Sequence, residues 1–165
     1  MSFEIPIPPS GEPEWPYDLY QLLRKERVSQ ISYVPDAGHK VLINLSLADP
    51  EVHSIPLTTE EEGVAMSVGA HLGGKRHVVL MQSSGVGNCI NMLSLPRLGK
   101  FPFLALISMR GDFGEGNPWQ MPMGKSIRPV LEACDVVCLK VEEPSEVLST
   151  VSAAITMSFQ CNESV

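Results

Sequence analysis

The stretch that most constrains this chain is HVVLMQ (77–82), followed at once by Ser83-Ser84-Gly85-Val86-Gly87-Asn88. The run is apolar, β-branched and of strand length, as expected for a strand buried on both faces. A strand with no polar face needs cover above and below, as in a parallel sheet sandwiched between helices. The Gly-rich turn makes a tight exit into the next helix, NCINMLSL. Its backbone N–H groups can approach a ligand at that helix's start.

The rest of the chain repeats the alternation. ISYV (31–34), HSIPL (53–57), FLALISM (103–109) and DVVCLK (135–140) read as four further strands. Helices are predicted around Leu19, Leu22 and Leu23, around Val41, Leu42 and Leu45, over 60–72, up to about Ala133 and from about Ser145. Five apolar strands alternating with helices predict an α/β fold, a three-layer sandwich with a mostly parallel sheet and right-handed crossovers. Residues 1–16 carry Pro6, Pro8, Pro9, Pro13 and Pro16 and read as an extended arm. Residues 17–165 then form one domain, of a length that supports a full core.

Charge narrows the partners. A net charge of -7 argues against a nucleic-acid partner, which needs clustered Lys and Arg, and against an anionic membrane surface. No run approaches the roughly 20 apolar residues of a membrane span. The opening MSFEIPIPPSGEPEWP has neither the basic nor the apolar region of a signal peptide, so the cytoplasm is the expected compartment. Cys89, Cys134, Cys138 and Cys161 fit that compartment as reduced core thiols. Three residues separate Cys134 from Cys138, which is not CxxC spacing.

In a parallel sheet, ligands bind beyond the carboxyl ends of the strands. The loops Pro35–His39, Ser83–Asn88 and Arg110–Gly124 fall there, as does the helix start at Glu60. The Gly85-Val86-Gly87 turn is not a dinucleotide fingerprint, because Ile90 stands where a third Gly belongs and no acidic residue follows at the right distance. Gly124-Lys125-Ser126 is not a P-loop, because Trp119 stands at its first Gly. Ser84 lacks the frame of a nucleophile elbow. His39, His53, His71 and His77 show no metal-ligand spacing, and only His39 sits in a candidate site loop. Glu60-Glu61-Glu62 is either a solvated acidic first turn or the start of a closely packed helix with a buried carboxylate. Gly63, Ala65, Ser67, Gly69 and Ala70 favour close packing, and burial raises a carboxyl pKa. Arg110 either reaches the ligand edge or pairs structurally with Asp112 or Glu115.

Taken together, three stretches are similar to the sulfopyruvate decarboxylase alpha-subunit family and to the related phosphonopyruvate decarboxylases. They are YVPDAGHKVLI, LTTEEEGVAMSVGAHLGGKRHVVLMQSSGVGNCINMLSL and FPFLALISMRGDFGEGNPWQMPMG, and the likeness covers about residues 17 to 140. The resemblance implies the pyrimidine-domain fold of thiamine-diphosphate enzymes. It places on Glu60, separated by eight residues from Gly69 as in the family's pattern, the carboxylate that hydrogen-bonds the aminopyrimidine ring, with Glu61 as the reserve. It sets Gly85, Val86, Gly87 and Asn88 beside that ring. Asp36 matches an acidic loop position near the reacting centre, and His39, Arg110 and Gln120 are expected to help bind a small anionic 2-oxo acid. The family's GDG…N metal motif is missing from this sequence. Mg²⁺ and the diphosphate are therefore expected on a separate beta subunit, in a hetero-oligomer, and no metal ligands are expected here. The alternative of another class is an α/β module that binds a ligand or partner without turnover.

Overall fold

In a computed structural model, which describes residues 3–165, the run around HVVLMQ forms β3 (Arg76–Gln82) in the middle of a parallel sheet. Its inner residues His77 to Met81 are all buried. Val78 and Leu80 point to one face and Val79 and Met81 to the other, each face having its own apolar cluster. Successive strand residues alternate in direction, so a strand apolar at every position requires two cores.

The elements run α1 (Trp15–Lys25), β1 (Val28–Tyr33), α2 (Lys40–Ala48), β2 (His53–Pro56), α3 (Glu60–Leu72), β3, α4 (Ser94–Gly99), β4 (Ala105–Ser108), α5 (Met121–Ala133) and α6 (Val147–Cys161). The sheet order is β2-β1-β3-β4, every pair parallel. Residues of α1, α2 and α6 fill one core with Val78 and Leu80; residues of α3 and α5 fill the other with Val79 and Met81. This is the expected three-layer α/β sandwich. Each fully buried Leu or Val contributes about 1.5–3 kcal/mol, which makes the sheet a stiff platform for the loops at its end.

A hydrogen bond, an ion pair and a glycine contact fix the layers. Tyr20 donates to Asp49 at 3.0 Å and the Arg24 Nε–Asp49 pair closes at 2.8 Å, tying α1 to the end of α2. At Gly63 a Cβ would lie 2.8 Å from Val79 and 3.0 Å from Leu57. The absence of a side chain there lets α3 lie directly on the sheet.

Several elements depart from the sequence reading. DVVCLK is not a strand: Asp135 sits in a turn at φ +59° and residues 136–140 take no regular secondary structure, so the sheet has four strands rather than five. The place beside β4 is taken by residues 163–165: Ser164 bridges Phe103 in parallel, Ala105 N–H donates to Val165 O at 3.0 Å, and Val137 N–H donates to Ser164 O at 2.9 Å. Beyond Val165 the gap between β4 and residues 137–143 opens into a mostly apolar cavity of about 700 Å³. The Gly-rich turn is a 3-10 helix, Ser83–Cys89, and regular α-helix resumes only at Ser94. In the expected arm, Phe3 packs edge-on against Tyr20, while residues 1 and 2 lie outside the described residues. No helix among the described residues is long and apolar enough to cross a membrane.

Candidate active site

The strand order makes the site. From β1 the chain steps outward to β2, then returns to place β3 on the other side of β1. Connections therefore leave the adjacent ends of β1 and β3 in opposite senses and open a crevice there. The loop after β1 carries Asp36 and His39, the turn after β3 carries Gly85 to Asn88, and β4 delivers Ser108 to Arg110.

Glu60 opens α3 and is 8% exposed, whereas Glu61 and Glu62 are exposed. Its Oε2 accepts from Asn88 Nδ2 at 3.0 Å. Gly85 lies against the same carboxylate: a Cβ built there would sit 2.5 Å from the Glu60 carboxyl carbon. The glycine turn and the acidic helix start are thus one packed unit. Glu62 has a different task, accepting the Thr58 N–H at 2.9 Å ahead of the helix. Burial, reinforced by the charges of Glu60 and Glu61, pushes the Cys89 thiol up to about 12, so it stays a protonated core thiol.

Asp36 gathers a second cluster. Ser108 Oγ donates to its Oδ2, Gln82 Nε2 lies 3.4 Å from its Oδ1, and His39 Nδ1 lies 3.2 Å from its Oδ2. Burial alone would raise the Asp36 pKa, but the bonds from Ser108 and the Gly38 N–H, with His39 beside it, bring the net shift below the ordinary value. His39 is 6% exposed; burial lowers its pKa against the opposing pull of Asp36. At Gly38 a Cβ would come within 2.7 Å of Ser108 Cβ, so this loop is pressed against the end of β4.

Arg110 takes the structural pairing and leaves one arm over. Its Nε and Nη2 donate to Glu115 at 2.7 and 2.8 Å. Its own N–H donates to Ser83 Oγ at 2.9 Å, which joins the loops after β3 and β4. The Arg110 fork and the N–H groups of Gly111 and Asn117 hold the Glu115 carboxyl down at about 2. Gly111 has φ +71° and packs against the Gln120 backbone, fixing the long loop onto the start of α5. Gln120 is half-buried at the end of a 3-10 turn, Pro118–Gln120.

The structure therefore brings Glu60, Gly85 and Asn88 into one cluster and Asp36 and His39 into another. Val86 and His39 line the cavity beside β4, together with Gly38, Ser108 and Asp112. Sequence reasoning passed over Gln82 and Ser108, and named Glu115 only as one possible partner of Arg110. The first two had a legible signal: each is the polar residue that ends an apolar strand, and they face each other in register. Among the described residues no group of three His, Cys, Asp or Glu side chains is placed to hold a metal ion.

No protein-family model matches the sequence. Individual proteins do. The chain is 36% identical over 143 residues to the sulfopyruvate decarboxylase subunit alpha of Methanocaldococcus jannaschii, a match that covers 86% of this chain and 85% of that one. It is 36% identical over 141 residues to the protein of the same name from Methanococcus maripaludis, covering 85% and 84%. The phosphonopyruvate decarboxylase of Streptomyces viridochromogenes is 31% identical over 138 residues, which are 82% of this chain but 35% of that longer protein.

Proposed function

The chain belongs to the sulfopyruvate decarboxylase alpha-subunit family, and from that premise we propose that it is the pyrimidine-binding half of a thiamine-diphosphate-dependent decarboxylase of a small anionic 2-oxo acid. The favoured reaction takes sulfopyruvate to sulfoacetaldehyde and carbon dioxide. Phosphonopyruvate to phosphonoacetaldehyde is the neighbouring reading, favoured by the Streptomyces relative.

The observation that supports this reading most directly is the Glu60 carboxylate, buried at the crevice edge with one oxygen engaged by Asn88. The pyrimidine ring suits the residues present. Glu60 Oε1 makes no hydrogen bond to the described residues and is free to face a ring nitrogen. When bound, the cofactor supplies an electron sink at its thiazolium carbon for the charge that loss of carbon dioxide leaves. Glu60 holds or releases a proton at Oε1. Asn88 keeps Oε2 in the role of acceptor, which confines that exchange to one atom. Gly85, Val86 and Gly87 would flank the ring and keep water from the carboxylate, which would strengthen its hold on its proton partner. Asp36, His39, Gln120 and the remaining Nη1 of Arg110 meet the substrate; a guanidinium suits a sulfonate or phosphonate.

The diphosphate and Mg²⁺ are assigned to a separate beta subunit. Two considerations support this: the GDG…N motif is missing here, and the matched relatives carry the name subunit alpha. The test is reconstitution. The chain alone with thiamine diphosphate, Mg²⁺ and sulfopyruvate is expected to form no aldehyde, and the chain with its beta subunit to turn over. In that complex Glu60→Gln should lower kcat by ~10²- to 10⁴-fold, the usual worth of an acid–base group. Glu61→Gln and Glu62→Gln should do little. Turnover by the chain alone, or equal effects at all three positions, would overturn the proposal.

A further inference from the structure

Three strand ends meet at a single carboxylate. Asp36 leaves the end of β1, Gln82 ends β3 and Ser108 ends β4, with Gln82 and Ser108 paired in register. Gln82 is oriented by its other neighbour: its Oε1 accepts from Ser84 Oγ at 2.6 Å, which turns the amide NH₂ toward Asp36. Ser108 Oγ donates to Asp36 Oδ2, and the Gly38 N–H also donates to the carboxylate. Every group around Asp36 is thus a donor, a surrounding that suits only the ionised form. His39 Nδ1 is buried 3.2 Å from the same Oδ2 without a formed hydrogen bond, and no other described residue partners it.

We propose that Ser108, helped by Gln82, is a positioning residue: it holds Asp36 ionised and turned toward His39, and so fixes the imidazole with Nδ1–H facing Asp36 and Nε2 free as an acceptor. Which nitrogen carries the proton is set by the bond the other makes. The free Nε2 belongs to a ring that lines the cavity beside β4, where an anionic substrate's reacting end would lie. This last step rests on the decarboxylase reading; the Ser108–Asp36–His39 coupling does not. The other charged groups nearby are Arg110, already answered by the two oxygens of Glu115, and Asp112, Arg128, Lys140, Glu142 and Glu143 along the cavity. None of these forms a hydrogen bond or ion pair with Asp36 or His39.

The test is NMR titration of the full chain with ¹⁵N-labelled histidine and ¹³C-labelled carboxylates. In the unsubstituted protein His39 should be the Nδ1–H tautomer when neutral. Asp36→Asn should lower the His39 midpoint by about one pH unit or more, because a neighbouring opposite charge is worth that much. Ser108→Ala should raise the Asp36 midpoint and lower that of His39 by a part of that amount, on the order of half a unit. Gly38→Ala keeps every polar group but pushes a methyl against Ser108 Cβ, and should reproduce the Ser108→Ala shifts. His77, distant from the cluster, reports that the fold is intact and should not move. An Nε2–H tautomer in the unsubstituted protein would overturn the proposal. So would unchanged Asp36 and His39 midpoints in both Ser108→Ala and Gly38→Ala with His77 steady. No turnover enters these measurements, so their failure is separate from any failure of the Glu60 test.

Discussion

Acid should weaken this fold through His77, a residue remote from the crevice. The ring is 2% exposed beneath α3, with Nδ1 2.7 Å from Ser67 Oγ. The Ser67 hydroxyl donates to Gly63 O at 2.9 Å, so His77 Nδ1 must be the donor to Ser67 and Nε2 is left bare. Burial lowers the pKa from an ordinary 6.5 to about 4. Between those values the unfolded chain binds a proton that the folded chain refuses, so stability is complete above pH 6.5 and is lost as the pH falls toward 4. A shift of about 2.5 units corresponds to about 3 kcal/mol in full, most of it gone by pH 4.5. Against a typical total of about 5–15 kcal/mol that is a large share. Urea unfolding at pH 7.5 and at pH 4.5 measures it. His39 is shifted the same way and adds to the raw loss. The discriminating variant is His77→Leu, which leaves the Ser67 bond to Gly63 in place and should be less sensitive to acid by about 2 kcal/mol. A His77 ring that titrates near 6.5, or equal acid sensitivity in His77→Leu, refutes the reasoning.

Three further outcomes are expected. Gly85→Ala drives a methyl into the Glu60 carboxyl group; it should cost about 1–3 kcal/mol in urea unfolding and lower turnover of the reconstituted enzyme, and normal values for both would show that Glu60 has room to retreat. Tyr20→Phe removes one of three donors from the buried Asp49, leaving Arg24 and the Glu51 N–H; thermal denaturation should report a loss of about 1–2 kcal/mol, and no change would mean water replaces the hydroxyl. Arg110→Lys loses the fork and should lower kcat/KM by roughly 10- to 100-fold, about 1.4–2.8 kcal/mol; an equal fall in Glu115→Gln would assign the pair to shaping the loop rather than to holding substrate.

Much of the scaffold was legible because its signals are local. The strands around 31–34, 53–57 and 77–82 and the helix over 60–72 follow from runs whose apolar pattern admits one burial. DVVCLK carries the same local signal and is not a strand. What excludes it is distant: residues 163–165 take the place beside β4, and Val137 is left with a single bond to Ser164. Three residues after a helix are too few to read as a strand. Glu60 was legible as a candidate from its place at the head of a small-residue helix, but its bond to Asn88 and its contact with Gly85 join segments 25 residues and more apart. Ser108 and Gln82 were missed because their weight comes from strand register, and a polar residue at the end of an apolar run is otherwise unremarked. For Arg110 the sequence admits both a ligand-edge and a structural reading; only the fold of the long loop selects Glu115 over Asp112 as its partner.

The rung made by residues 163–165 also decides which backbone groups of β4 are sealed. In a parallel strand, alternate residues turn both their N–H and C=O to the same side. Leu104 faces β3, where its O accepts from Val79, and Ala105 faces outward to Val165. Two residues on, Ile107 must face outward too, toward the cavity, where no described residue meets it. Deuterium entering from solvent should therefore find a step along one short strand. The amides of Ala105 and Leu106 exchange only when the sheet opens, while that of Ile107 exchanges from the folded state.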